Sequence, residues 1–90
     1  MSAPWKEMKD EREVEETIRR ELPPNAAEAD LRAFAAREGF QCSDLHDGAM
    51  NCSAPARSDL PLVAAKWLIR FTFDGGVFIG VAVRKGLTGP

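Results

Sequence analysis

Residues 66–84 read KWLIRFTFDGGVFIGVAVR, and this stretch decides the fold. Apolar residues alternate along its first arm at Trp67, Ile69, Phe71 and Phe73, with Leu68, Arg70 and Thr72 between them. The second arm repeats the pattern at Val77, Ile79, Val81 and Val83. Period-two alternation of β-branched and aromatic residues marks half-buried strands, so the stretch reads as a long β-hairpin. Two loops fit its turn. A two-residue loop at Gly75 and Gly76 pairs Phe73 with Phe78 and Phe71 with Gly80, which sets the two apolar series on opposite faces. A three-residue loop that includes Asp74 pairs Phe73 with Val77, Phe71 with Ile79, Ile69 with Val81 and Trp67 with Val83. Burial of one face fixes register. The three-residue loop is therefore expected, with Gly76 in the left-handed conformation its last position requires.

Ninety residues make one small domain, 1–90, which buries roughly 60–65% of its unfolded surface. The apolar fraction of 44% and the charged fraction of 29% are those of a globular domain. The net charge of −2 argues against a nucleic-acid surface. No apolar run is long enough for a transmembrane helix. The opening Met-Ser-Ala-Pro carries no charged-then-apolar signal pattern, and reads either as native or as a start that replaces a removed leader.

Residues 5–22 hold seven acidic and five basic side chains. Lys6 with Asp10, Lys9 with Glu13, Glu15 with Arg19 and Glu16 with Arg20 stand at i,i+4, a spacing that supports a helix. The apolar stripe is narrow: Val14, Ile18 and Leu22, with Met8 and Trp5 ahead of it. A helix docked by its second half is expected, with 1–12 fraying. Its charges read as a solvated face. Pro23 and Pro24 stop it. Asn25, with Glu28 three residues on, has the spacing of a capping box for a second helix. Ala27, Leu31, Phe34 and Ala35 share one face of that helix. Gly39 stands where a left-handed residue closes it, and Phe40 is placed to fold back on Phe34 or Ala35.

Residues 40–53 read as a shorter hairpin around His46, Asp47 and Gly48. That register sets Cys42 directly opposite Cys52, in a pair of the close, non-hydrogen-bonded kind. Cysteines so placed reach bonding geometry, and the even count favours a disulfide. Residues 54–65, with Pro55 and Pro61, read as an inter-hairpin loop. The tail KGLTGP reads as an ending.

The sequence offers little chemistry. Cys42, His46 and Cys52, with Asp44 or Asp47, could ligate zinc only by converging on one point. The register instead places His46 about 13 Å of strand from Cys42. The same separation defeats a Cys–His nucleophile pair, and no third group marks one. Gly75 and Gly76 have no following helix or Lys, so they form no phosphate loop. No catalytic, cofactor-binding or metal residue is expected. A non-enzymatic protein-interaction or scaffold domain is the leading function; the alternative is a small enzyme or metal-binding protein using Cys42, His46 and Cys52. The candidate partner surface is the second face of the sheet, with Leu68, Arg70, Phe78, Ala82 and Arg84, anchored by Phe78 and Leu68. Its partner is an unknown protein, with no nucleic acid.

Residues 22–86, two helices followed by an antiparallel sheet that closes on FTFDGGVFIGVAVRKG, resemble the small bacterial envelope lipoproteins of the SmpA/OmlA (BamE-like) group. The similar β-lactamase-inhibitor proteins share that element order. The chain departs from the group at the helix entrance, where Pro24, Asn25 and Ala26 replace its Gly-Met-Thr. The resemblance implies the periplasm or cell envelope and a scaffolding or inhibitory role through protein contacts, and it transfers no site residues.

The expected fold is α+β: two N-terminal helices packed on one face of a four-stranded, mostly antiparallel sheet made of two hairpins. The strands are expected near 40–45, 49–54, 66–73 and 77–84.

Overall fold

A computed structural model describes residues 3–88. Asp10 sets where the first helix begins. Its Oδ1 accepts the Glu13 N–H at 2.9 Å, and the Lys9 N–H donates to Glu13 Oε1 at 3.0 Å. The first bond satisfies one of the amide donors at the start of the helix, and the second ties the residue ahead of the cap to the first turn. Helix α1 runs Glu11–Glu21, with Val14, Thr17 and Ile18 buried. Glu15 pairs with Arg19 as the spacing suggests, but Glu16 pairs with Arg12, and Arg20 donates to the Thr17 hydroxyl. Lys6 and Lys9 lie ahead of the helix.

The segment expected to fray is packed, from residue 3 onward. A single 3₁₀ turn, Trp5–Glu7, buries Trp5, and Met8 is buried behind it. Trp5 Nε1–H donates to Glu38 Oε1 at 3.0 Å, and the Trp5 carbonyl accepts Trp67 Nε1–H at 2.8 Å. The Trp5 ring stands edge-on to Phe34 and Phe40, with centroids at 6.2 and 5.0 Å. These aromatic contacts lie beyond the reach of helix periodicity.

Helix α2 runs Glu28–Glu38 and starts two residues later than a cap at Asn25 would place it. Asn25 takes a left-handed φ of 61°. That turn sends Ala26 into the core, where its carbonyl accepts the Phe78 N–H at 2.8 Å. The helix begins only after this tie to the sheet, with Asp30 accepting the Ala27 N–H at 3.1 Å. Its end follows the expectation: Gly39 has φ 78°, the Phe40 N–H reaches the Ala35 carbonyl at 2.9 Å, and the Phe40 ring meets Phe34 edge-on at 5.7 Å.

Four antiparallel strands follow, β1 (Gln41–Cys42), β2 (Ala49–Ala56), β3 (Ala64–Asp74) and β4 (Val77–Thr88), in the order β1-β2-β3-β4. The α+β class and the two leading helices are as expected. The inter-hairpin connection shrinks to 57–63, because β2 and β3 extend toward each other and pair from Ala49–Thr72 to Ala56–Ala65. The tail is strand through Thr88, paired with Ala64. One sheet face supplies Met50, Cys52, Ala54, Trp67, Ile69, Phe71, Phe73, Phe78 and Val81 to a single core with Val14, Ile18, Leu22, Leu31, Phe34 and Ala35.

The turn of the long hairpin differs from the expected register. Asp74 pairs with Val77 and Phe73 with Phe78, so the loop is the two-residue one, with Gly75 and Gly76 at φ 59° and 80°. Two positive φ values in succession give the primed turn whose twist matches that of the strands. A β-bulge then inserts Ile79: Thr72 pairs with Gly80, Phe71 with Val81, Ile69 with Val83 and Trp67 with Lys85. The extra residue reverses the alternation once. Phe78 and Val81 therefore both point into the core, and Ile79 points outward, 59% exposed. The conflict that spoke against a two-residue loop is resolved by the bulge. The short hairpin does likewise. His46 bridges Ala49 across a two-residue turn at Asp47 and Gly48, and residues 43–45 absorb the surplus, so that Cys42 still faces Cys52.

Candidate functional site

The helices cover one sheet face. The other presents, strand by strand, Asn51 and Ser53 on β2, Lys66, Leu68, Arg70 and Thr72 on β3, and Gly80, Ala82, Arg84 and Gly86 on β4. A shallow groove of about 600 Å³ runs between Asn51, Leu68, Arg70, Ala82 and Arg84. Its floor is low because β4 carries small residues there. Leu68 leans toward Gly86, where a Cβ would come within 3.0 Å of Leu68 Cδ1, so the leucine occupies space that a larger residue would claim.

Of the residues expected on this surface, Leu68, Arg70, Ala82 and Arg84 are together on it. Leu68 lies directly opposite Arg84, and Arg70 opposite Ala82. Phe78, the expected anchor, is not there. It is buried at 7% exposure, with its ring edge-on to Phe71 and Phe73 at 6.0 and 6.4 Å. Leu68 is thus the large apolar side chain on the open face within the groove, and Ile79 lies outside it near the hairpin turn. Two residues of the face lie outside the expected set: Asn51 becomes a neighbour of the patch only once β2 and β3 are paired, and Lys66 stands two residues before Leu68, where β3 begins earlier than expected. The relevant signal was their place in the alternation, Asn51 between Met50 and Cys52 and Lys66 before Trp67.

The sheet edge at β4 is a poorer partner site than the face. Its first residues are tied to the chain before α2 through Phe78 and Ala26. Further on, Lys85 sits on the core side with its Nζ 5.6 Å from the Trp67 ring centre. An inward-pointing charge on an edge strand opposes addition of another strand.

The Cys42 and Cys52 sulfurs are bonded to each other, so neither is a thiolate ligand or nucleophile. His46 is at the exposed hairpin tip, with Nε2 3.2 Å from Asp47 Oδ2. Among the described residues no group of three His, Cys, Asp or Glu side chains could hold a metal ion. The two thiols and the imidazole of the alternative reading do not form a site.

Glu38 carries the perturbed carboxyl, and its role is structural. Burial pushes its pKa up, but the Ala3 N–H, the Arg37 side chain and Trp5 Nε1–H all donate to it, and the Arg37 charge adds to them. The net result is a pKa below the ordinary value. A depressed native pKa contributes stability above the unfolded-state value, about 4.3, and that contribution is lost as pH falls through the native one. Acid titration should therefore release the N-terminal segment below about pH 4.3, read as a change in Trp5 emission. Glu38→Gln should flatten that limb, and an unchanged limb in the variant would assign the transition to another carboxylate.

No family model, curated protein or solved structure matches this chain.

Proposed function

We propose that this domain is a non-enzymatic protein-interaction module whose partner seats on the open face of the sheet, and that it works in the bacterial cell envelope. The observation that carries the reading is the groove between Asn51, Leu68, Arg70, Ala82 and Arg84 on a face no helix covers. A half-buried leucine with arginines about it has the form of an interface anchor with a polar rim. The Cys42–Cys52 bond supports the location, since disulfides persist in oxidising compartments. The resemblance of residues 22–86 to the BamE-like envelope group points the same way.

Site-specific photo-cross-linking in the native host tests the surface without assuming the partner's identity. A photoreactive side chain replaces Ala82 in one variant and Ala33, exposed on α2, in another. Adducts from position 82 and not from position 33 are the expected result. Adducts from position 33 alone would move the interface to the helix layer.

A further inference from the structure

The charges of the chain are divided between its two layers. Twelve of the fourteen acidic residues, but only seven of the twelve basic ones, lie in the first fifty positions. The helix-bearing half is therefore net acidic and the half that builds most of the sheet net basic. On the helices, four of the five arginines are already paired, Arg12 with Glu16, Arg19 with Glu15, Arg32 with Glu28, and Arg37 with Glu38, and the fifth, Arg20, donates to the Thr17 hydroxyl. On the open face, Lys66, Arg70 and Arg84 make no salt bridge among the described residues, and no acidic residue stands between them on that face.

Their placement is specific. Lys66 and Arg70 are two residues to either side of Leu68 on β3, on the same face, about 7 Å away along the strand. Arg84 is directly across from Leu68 on β4. One apolar side chain is thus flanked on two sides of its own strand and on a neighbouring strand by cations. From this geometry we infer that the groove takes an acidic protein segment, one in which a single apolar residue is bracketed by carboxylates, the apolar group resting on Leu68 and Ala82 and the carboxylates reaching Arg70, Arg84 and Lys66.

Other occupants fit less well. A second copy meeting this face with its own would set Arg70 and Arg84 against arginines, and like charges across an interface oppose association. A single-stranded nucleic acid would want aromatic stacking platforms, and Trp67, Phe71, Phe73 and Phe78 all point to the opposite side, into the core. Arginine suits the acidic segment because its planar fork matches a carboxylate at two points.

This inference rests on the open face being the partner surface, and its test separates the two. The ¹⁵N-labelled protein, full chain, is titrated with synthetic peptides EELEE, EEQEE, QQLQQ and KKLKK and with a short oligothymidylate. The expected result is saturable amide shifts at Leu68, Arg70, Ala82 and Arg84 with EELEE, weaker shifts with EEQEE and QQLQQ, and affinity that falls as salt rises. Arg70→Glu combined with Arg84→Glu should weaken EELEE about tenfold or more and create affinity for KKLKK. Arg70→Gln with Arg84→Gln serves as the milder pair if the reversal disturbs the fold. KKLKK or the oligonucleotide binding the unaltered groove as well as EELEE would overturn the inference. So would absence of EELEE shifts there, or a dimer in sedimentation equilibrium that protects the same four amides. Position-82 adducts together with any of the first three results would leave the partner surface standing and remove only its acidic specificity.

Discussion

Phe78→Ala should lower stability by about 3–5 kcal/mol, as for other buried aromatics cut to alanine. Ile79→Ala, one residue on, should change it by no more than about 0.5 kcal/mol. The contrast is the signature of the register set by the two-residue turn. Phe78 is 7% exposed and packs its ring against Phe71 and Phe73, whereas Ile79 is 59% exposed on the opposite side. In the register with a three-residue loop and no bulge, β4 would bury Ile79 opposite Phe71 and expose Phe78, and the two costs would exchange places. Urea unfolding of both variants decides between the registers, since the midpoint moves with stability while the slope reports whether the same surface is exposed. Equal losses from both would mean that neither face is dominant and that the bulge is not fixed. The result bears on the partner surface as well, because a Phe78 variant that loses binding does so through the core and says nothing about the groove.

The features legible in the sequence are those written in local chemistry. Alternation gave β3, the spacing of Leu31, Phe34 and Ala35 gave the face of α2, and Gly39 with Phe40 gave its end. The opposition of Cys42 and Cys52 was legible although the loop between them was not, because residues 43–45 absorb the difference. A bulge inserts a residue without changing composition, so turn length alone does not fix the faces of β4. One sign was present: Gly80 follows Ile79, and a glycine inside a strand often accompanies a bulge or a close backbone approach. Asp10 with Glu13 three residues on offered a capping signal as good as that at Asn25. Asn25 lost its cap role to a tertiary bond, Ala26 to Phe78, which no local pattern encodes. The candidate site divides the same way. Leu68 and Arg70 follow from alternation in one strand, whereas Asn51 enters only through its pairing with Arg70 across β2 and β3.

Cys42→Ala with Cys52→Ala, or reduction of the native protein, should lower the melting temperature by roughly 10–20 °C, from a loss of about 2–3 kcal/mol over the short loop that the bond closes. The cysteines are ten residues apart, with Cα atoms 4.0 Å from each other, and Cys52 is buried beneath the helix layer. Alanine is the informative replacement, because it leaves no hydroxyl in that layer. The bond matters more here than its energy alone suggests. β1 is only two residues long, and Gln41–Ser53 and Cys42–Cys52 are its whole pairing with β2. A strand that short has little ladder of its own to hold it, so the cross-link fixes the edge of the sheet beside α2. Hydrogen exchange should then show the global loss shared by the core amides of β3 and β4, with a further loss of protection in 41–48. A loss with no excess in 41–48 would mean that the bond acts on global stability alone and not on this edge. The redox state in the cell is read separately, by alkylation and mass spectrometry of protein taken from its own host without reductant. A protected pair is expected. Two alkylated thiols would remove the bond as a feature of the working protein and, with it, the principal physical support for an envelope location.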